Sequence, residues 1–148
     1  MGKTSDLPGI VAHEYVHTLQ RESLGSLWGY AEHRLLLQSI REGAADFVAE
    51  AVTGRRINQA VHAYGERHEA ELWAAFQKEM YGNVLSGWLY QGGNAMGEAP
   101  ADLGYYIGYK ICEAYYQRAE DKAGALQRIV RIGNHRRFLR KSGYGGAW

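Results

Sequence analysis

Two histidines four residues apart, His13 and His17, restrict the fold of this chain more than any other feature of its sequence. In a helix, residues at i and i+4 project from one face about a turn apart, so two such imidazoles can ligate one metal ion. The segment from Asp6 to about Gln20 has no helix breaker after Gly9. We therefore predict a first helix that carries both histidines, against the alternative of two unrelated surface histidines.

Glu14 follows the first histidine in this His-Glu-Tyr-Val-His segment. On a helix it lies roughly 100° around the axis from His13, beside the histidine face rather than on it. A carboxylate in that position can take a proton from a hydrolytic water without being a metal ligand, which is the task of a general base in metal-assisted hydrolysis. Residue type and spacing together favour a zinc-dependent hydrolase.

A catalytic zinc ion usually has three protein ligands, so the hypothesis requires a third donor. We predict Glu42, which follows His17 by 25 residues on a second helix. Asp46, one turn later on the same face, is expected to accept the second N–H of a ligand histidine. Glu32 is the competing third ligand, and Glu42 is preferred because Asp46 and apolar neighbours accompany it.

The rest of the chain predicts a mainly α fold with few β-strands. The glycine-rich stretch 82–100 is the best loop candidate, and its VLSGWLY segment is either a short strand or a helical turn. Asp102 is expected to cap the helix that follows it. Beyond the first, helices are predicted at about 31–53, ending at Gly54, at 58–81 with a break at Gly65, at 103–118 and at 123–132.

Length and charge limit the class of protein. A chain of 148 residues fits one domain, predicted to span 1–148, and the 17 Lys and Arg against 16 Asp and Glu give no field that would recruit nucleic acid. No apolar run approaches the roughly 20 residues that span a bilayer, and no signal peptide is visible. The single Cys112 cannot form an internal disulfide. We expect a soluble protein, in a compartment that the sequence leaves open.

The segments HEYVHTLQ, EGAADFVAE and GYYIGYKI together resemble the DUF2268 group of predicted zinc-dependent proteases within the gluzincin metallopeptidases. The resemblance implies one zinc ion per chain and a peptide or protein substrate. It also implies roles for five residues: His13, His17 and Glu42 as zinc ligands, Glu14 as general base and Asp46 as the partner of a ligand histidine.

Three further residues are candidates to stabilise an oxyanion. Tyr105 and Tyr109, in the GYYIGY segment, are four residues apart, and neighbouring glycines permit close helix approach. Core aromatics packed beside small residues explain the same pattern equally well. His135, in GNHRRF, is a weaker candidate, because the basic run around it predicts a solvated amphipathic turn.

Zincin peptidases bind their substrate as an extra strand on a small sheet that precedes the metal helix. Only twelve residues precede His13, so the expected fold is a zincin-like helical core lacking most of the N-terminal β-sheet. A truncated form, a divergent short form, or an edge strand supplied by a partner chain each account for this. The leading hypothesis is a zinc metallopeptidase. The alternatives are a noncatalytic zinc-binding helical module for protein interaction and a helical protein without metal.

Overall fold

Six α-helices form the part of the chain that the computed structural model describes, residues 6–23, 33–90 and 99–146. Within these ranges there is no β-strand, which confirms the mainly α prediction. None of the described helices combines the length and apolar character needed to cross a bilayer. In chain order the helices are α1 Leu7–Ser23, α2 Arg34–Thr53, α3 Gln59–Glu79, α4 Leu103–Arg118, α5 Lys122–Val130 and α6 His135–Ser142.

Helix α2 lies at the centre of the fold. Every residue from Leu35 to Ala49 is buried except Arg41, because α2 is apolar nearly all round and packs against α1, α4, α5 and α6. The helix ends as predicted at Gly54, whose φ of 68° is the left-handed conformation of a helix C-cap and whose N–H donates to the Glu50 carbonyl. Glu42 and Asp46 are therefore carboxylates in the middle of the core.

Helices α2 and α4 approach each other closely at a pair of glycines. A Cβ placed on Gly43 would overlap the backbone of Gly108, and a Cβ placed on Gly108 would overlap the carbonyl group of Ser39. No other residue type fits these two positions without moving a helix. This confirms that glycines in the GYYIGY segment permit close helix approach.

Helix α3 is bent at His68, where φ is −124° and ψ is 20°. The predicted break at Gly65 is wrong. That glycine stays helical and buried because the ring of Tyr106 lies against it, so that a Cβ there would come within 2.5 Å of the ring. Packing against an aromatic ring, rather than a turn, explains this glycine.

The VLSGWLY segment forms a turn rather than a strand. The amides of Trp88 and Leu89 both donate to the carbonyl of Leu85. Trp88 anchors this turn, because its ring packs against Phe76, with ring centroids 5.1 Å apart, and its carbonyl accepts from the amide of Gly104. Residues 91–98 of the predicted loop lie outside the described ranges.

The start of α4 differs from the prediction in its capping. Asp102 precedes α4 as expected, but its φ is 64° and its side chain accepts no hydrogen bond from the helix, so it is not a side-chain N-cap. Asp121 caps α5 and Asn134 caps α6. The predicted basic turn near the C-terminus is in fact the helix α6, which buries Phe138 and Leu139 against the core.

Candidate metal centre

Helix α1 turns one side toward α2, and that side carries both histidines of the motif. His13, Val16 and Gln20 are buried and His17 is half-buried, a spacing of i, i+3, i+4 and i+7 that defines one helical face. Helix α2 presents Glu42 opposite this face. Residues 25 and more positions apart in sequence are thereby brought together by the packing of two helices.

Three donor atoms converge between α1 and α2. His17 Nε2 lies 2.9 Å from His13 Nε2 and 3.1 Å from Glu42 Oε2, and His13 Nε2 lies 3.4 Å from the same oxygen. A tetrahedral zinc ion with bonds of about 2.0–2.1 Å separates its ligand atoms by roughly 3.3 Å. The three separations are close to this spacing, so the predicted ligand set could hold one metal ion.

The tautomers of both histidines are fixed by partners on their other ring nitrogen. His13 Nδ1 donates to Asp46 Oδ1 at 2.6 Å, as predicted for Asp46. His17 Nδ1 donates to Gln20 Oε1 at 2.7 Å, and that amide is oriented because its Nε2 donates to the carbonyl of Arg41. A metal ion that displaces the proton shared by these rings would meet the Nε2 lone pairs of both imidazoles, because each ring donates through its Nδ1. Two lone pairs and a carboxylate oxygen that point at one another favour a cation between them.

Two residues that orient the candidate site, Gln20 and Asn58, were not predicted from the sequence. Gln20 lies three residues after His17, so its position on the ligand face of α1 was readable from helical spacing. Asn58 precedes α3, and its Nδ2 donates to Asp46 Oδ2 at 2.8 Å. This hydrogen bond orients the Asp46 carboxylate, which in turn accepts from His13. The sequence carries no sign of this second contact, because it depends on how the α2–α3 connection folds back.

Tyr90, which the sequence analysis also did not identify, contacts the third candidate ligand. Its hydroxyl donates to Glu42 Oε1 at 2.8 Å, the oxygen that does not face the histidines. The two residues are 48 positions apart and Tyr90 belongs to no sequence motif, so only the fold reveals the contact. Each of the three candidate ligands thus has a hydrogen-bonding partner of its own.

The electrostatics of the centre favour a bound positive charge. Burial lowers the pKa of His13, but hydrogen bonds and charges from Asp46 and Glu42 outweigh it and raise the pKa to about 9. Burial raises the pKa of Glu42, yet hydrogen bonds with His13, His17 and Tyr90 bring it well below its usual range. Both shifts have one cause, a pair of buried carboxylates beside two imidazoles, which attracts a proton or a metal ion.

The predicted catalytic residues occupy different positions around this centre. Glu14 is exposed on α1, next to the ligand face. The ring of Tyr105 is stacked beside that of His13, with centroids 6.5 Å apart. The hydroxyl of Tyr109 instead donates to Glu50 at 2.9 Å, one turn beyond Asp46 on α2.

Two lesser candidates lie elsewhere. His135 lines a small cavity with Gln20 and Arg41, and burial followed by the charge of Arg41 lowers its pKa to about 4. His135 is therefore neutral near pH 7, behind the residue that orients His17. Glu32, the competing third ligand, lies outside the described residues.

The geometry defines the class of protein first: a helical scaffold in which two histidines and one glutamate form a candidate site for a single metal ion. The chain belongs to the DUF2268 family, described as a predicted Zn-dependent protease, whose family model matches residues 1–129. No curated protein and no solved structure matches the chain significantly. The matched range contains all three candidate ligands, and the family agrees with the resemblance drawn from the motifs.

Proposed function

We propose that the chain is a zinc metallopeptidase of the gluzincin type that hydrolyses peptide bonds. The observation that carries the proposal is the convergence of His13 Nε2, His17 Nε2 and Glu42 Oε2 within 3.4 Å of one another. The partners of these groups hold them ready to bind before any ion arrives. When bound there, zinc would supply Lewis-acid polarisation of a carbonyl and make a water molecule more acidic.

The residues around the ligands have the properties that hydrolysis needs. Glu14 is exposed, so its carboxylate is open to solvent and to substrate, and it would accept the proton of the attacking water and return it to the leaving amine. Tyr105 is half-buried beside His13, and burial, then the charge of Glu42, raises the pKa of its phenol. It therefore stays protonated and able to donate to a developing oxyanion, a role that suits it better than Tyr109.

A second function, that of a noncatalytic zinc-binding module for protein interaction, is favoured by one observation. Leu7, Val11 and Tyr15, spaced four residues apart on α1, are 58, 58 and 63% exposed. An apolar stripe of this kind beside the centre suits contact with another protein chain. The same stripe also suits a peptide substrate, so only an activity measurement separates the two functions.

The experiment compares Glu14→Gln with the unsubstituted chain, both loaded with zinc, on a denatured and fluorescently labelled protein substrate. We expect Glu14→Gln to retain about one zinc ion per chain but to lose hydrolysis by about 10²–10⁴-fold. Glu71→Gln, the same change at an exposed position on α3, is the matched control and should keep full activity. Zinc binding without cleavage by the unsubstituted chain would favour the interaction module, and full activity of Glu14→Gln would exclude Glu14 as the base.

A further inference from the structure

Tyr90 is an exposed tyrosine whose hydroxyl reaches a buried carboxylate. Its side chain is not part of the core, since the residue is 54% exposed, whereas its partner Glu42 is 7% exposed. A tyrosine that merely packs would bury its ring and leave the hydroxyl in water. In Tyr90 the ring is largely exposed and the hydroxyl is hydrogen-bonded to Glu42.

The two carboxylate oxygens of Glu42 have different partners. Oε1 accepts from Tyr90, whereas Oε2 faces both histidines. A second acceptor for the same hydroxyl, Gln38 Oε1, lies 3.1 Å away, one helical turn before Glu42. The tyrosine is thereby held along the ligand face of α2.

The backbone at Tyr90 is strained in the conformation that makes this contact. Its φ of 59° is left-handed, a region that is unfavourable for L-residues other than glycine. The turn before it is fixed by the buried residues Trp88 and Leu89, so the position of Tyr90 is set by the fold. Such strain persists where the surrounding structure requires it, and it often marks functional sites.

We propose that Tyr90 is a positioning residue that makes Glu42 bind the metal through Oε2 alone. This inference rests on the proposed zinc site. With Oε1 engaged by Tyr90, the carboxylate cannot easily rotate to offer both oxygens, so the coordination position that a peptidase needs for water and substrate stays open. The role of Tyr90 is thus to set the coordination number as well as the affinity.

The test compares the unsubstituted chain with Tyr90→Phe, which removes one hydroxyl from an exposed side chain. Zinc affinity is measured by competition with a chromophoric chelator, and geometry by the visible spectrum of the cobalt(II) form. We expect Tyr90→Phe to bind zinc about 10–100-fold more weakly. Its cobalt bands should also weaken, because five-coordinate cobalt absorbs less strongly than four-coordinate cobalt.

Tyr81→Phe is the matched control, since Tyr81 is 40% exposed and contacts His33 and Arg136 rather than a ligand. It should match the unsubstituted chain in both measurements. Equal affinity and equal spectra for Tyr90→Phe and the unsubstituted chain would overturn the positioning role while leaving the zinc site intact. Failure of the unsubstituted chain to bind zinc would overturn the proposed metal centre, and the inference with it.

Discussion

Helix α2 carries two glutamates on one side, Glu42 and Glu50, which differ in the charged groups that surround them. Glu50 has a cation of its own chain: Arg56 Nε lies 3.1 Å from Glu50 Oε2, and the hydroxyl of Tyr109 donates to the same oxygen. The hydrogen bond to Glu50 accordingly raises the pKa of Arg56. Glu42 faces two imidazoles whose other nitrogens are already engaged, and no Lys or Arg is paired with it in the described part of the chain.

The difference between the two clusters distinguishes a structural carboxylate from a candidate metal ligand. Both glutamates lie two turns apart on one helix, and each accepts a tyrosine hydroxyl. The cluster at Glu50 balances its charge with an arginine, whereas the cluster at Glu42 has only histidines, whose charge depends on a bound proton. The cluster at Glu42 gathers acceptors without a permanent cation, which is the condition for binding one from outside.

The largest expected effect follows from the same substitution at both positions. Glu42→Gln should reduce bound zinc from about one ion per chain to none, because a neutral amide replaces the anionic ligand. Glu50→Gln should leave zinc content unchanged. Elemental analysis of the two proteins after purification and dialysis checks this, and equal zinc in both would show that Glu42 is not a ligand.

Zinc should stabilise the fold through the Glu42 cluster alone. With free zinc at about 100 times its dissociation constant, binding adds about 2.7 kcal/mol to the free energy of unfolding, which corresponds to roughly 5–10 °C in Tm for a chain of this size. Thermal unfolding followed by circular dichroism measures the shift. Glu50→Gln should show it in full, and a shift of the same size in Glu42→Gln would point to a different site.

Asp46 lies between the two glutamates on α2, and its substitution should produce an intermediate effect. In Asp46→Asn the amide retains one oxygen, which cannot accept from both His13 and Asn58, so we expect zinc to bind about 10–100-fold more weakly. Asn58→Ala removes only the outer contact and should lose less. Chelator competition measures the zinc affinity of both variants. A larger loss in Asn58→Ala than in Asp46→Asn would contradict the proposal that Asn58 acts through Asp46.

The smallest effect concerns stability rather than metal. Arg56→Met removes the cation of the Glu50 cluster, which is partly exposed to solvent, so the free energy of unfolding should fall by only about 1 kcal/mol or less. Zinc affinity should stay within about twofold of the unsubstituted chain, as expected for separate sites. Urea denaturation and chelator competition test the two statements, and a large loss of zinc affinity would show that the clusters are coupled.

Helical spacing alone predicted the inner part of the candidate site. His13 and His17 share a face because four residues make one turn, and Asp46 follows Glu42 for the same reason. These positions follow from the regular repeat of an amphipathic helix, which can be read from the sequence. The bounds of α4 and the end of α2 at Gly54 were predictable from comparable local signals.

The residues that support the candidate ligands from outside α1 and α2 could not be predicted from helical spacing. Tyr90 and Asn58 reach the centre from connections with left-handed backbone, where neither periodicity nor residue type announces the contact. The bend at His68 and the helical Gly65 were mispredicted for a related reason. Tertiary packing against Tyr106 decided the conformation of that glycine, and packing partners are not visible in one sequence.

The glycine contact between α2 and α4 has a mechanical consequence for the metal centre. Gly43 directly follows Glu42, and there the two helices meet backbone to backbone with no side chain between them. Peptide groups have no rotamers that could absorb a displacement, so this contact restricts movement of α2 beside Glu42. We therefore expect the histidine side chains of α1, rather than α2, to adjust when the proposed centre binds ions of different radius.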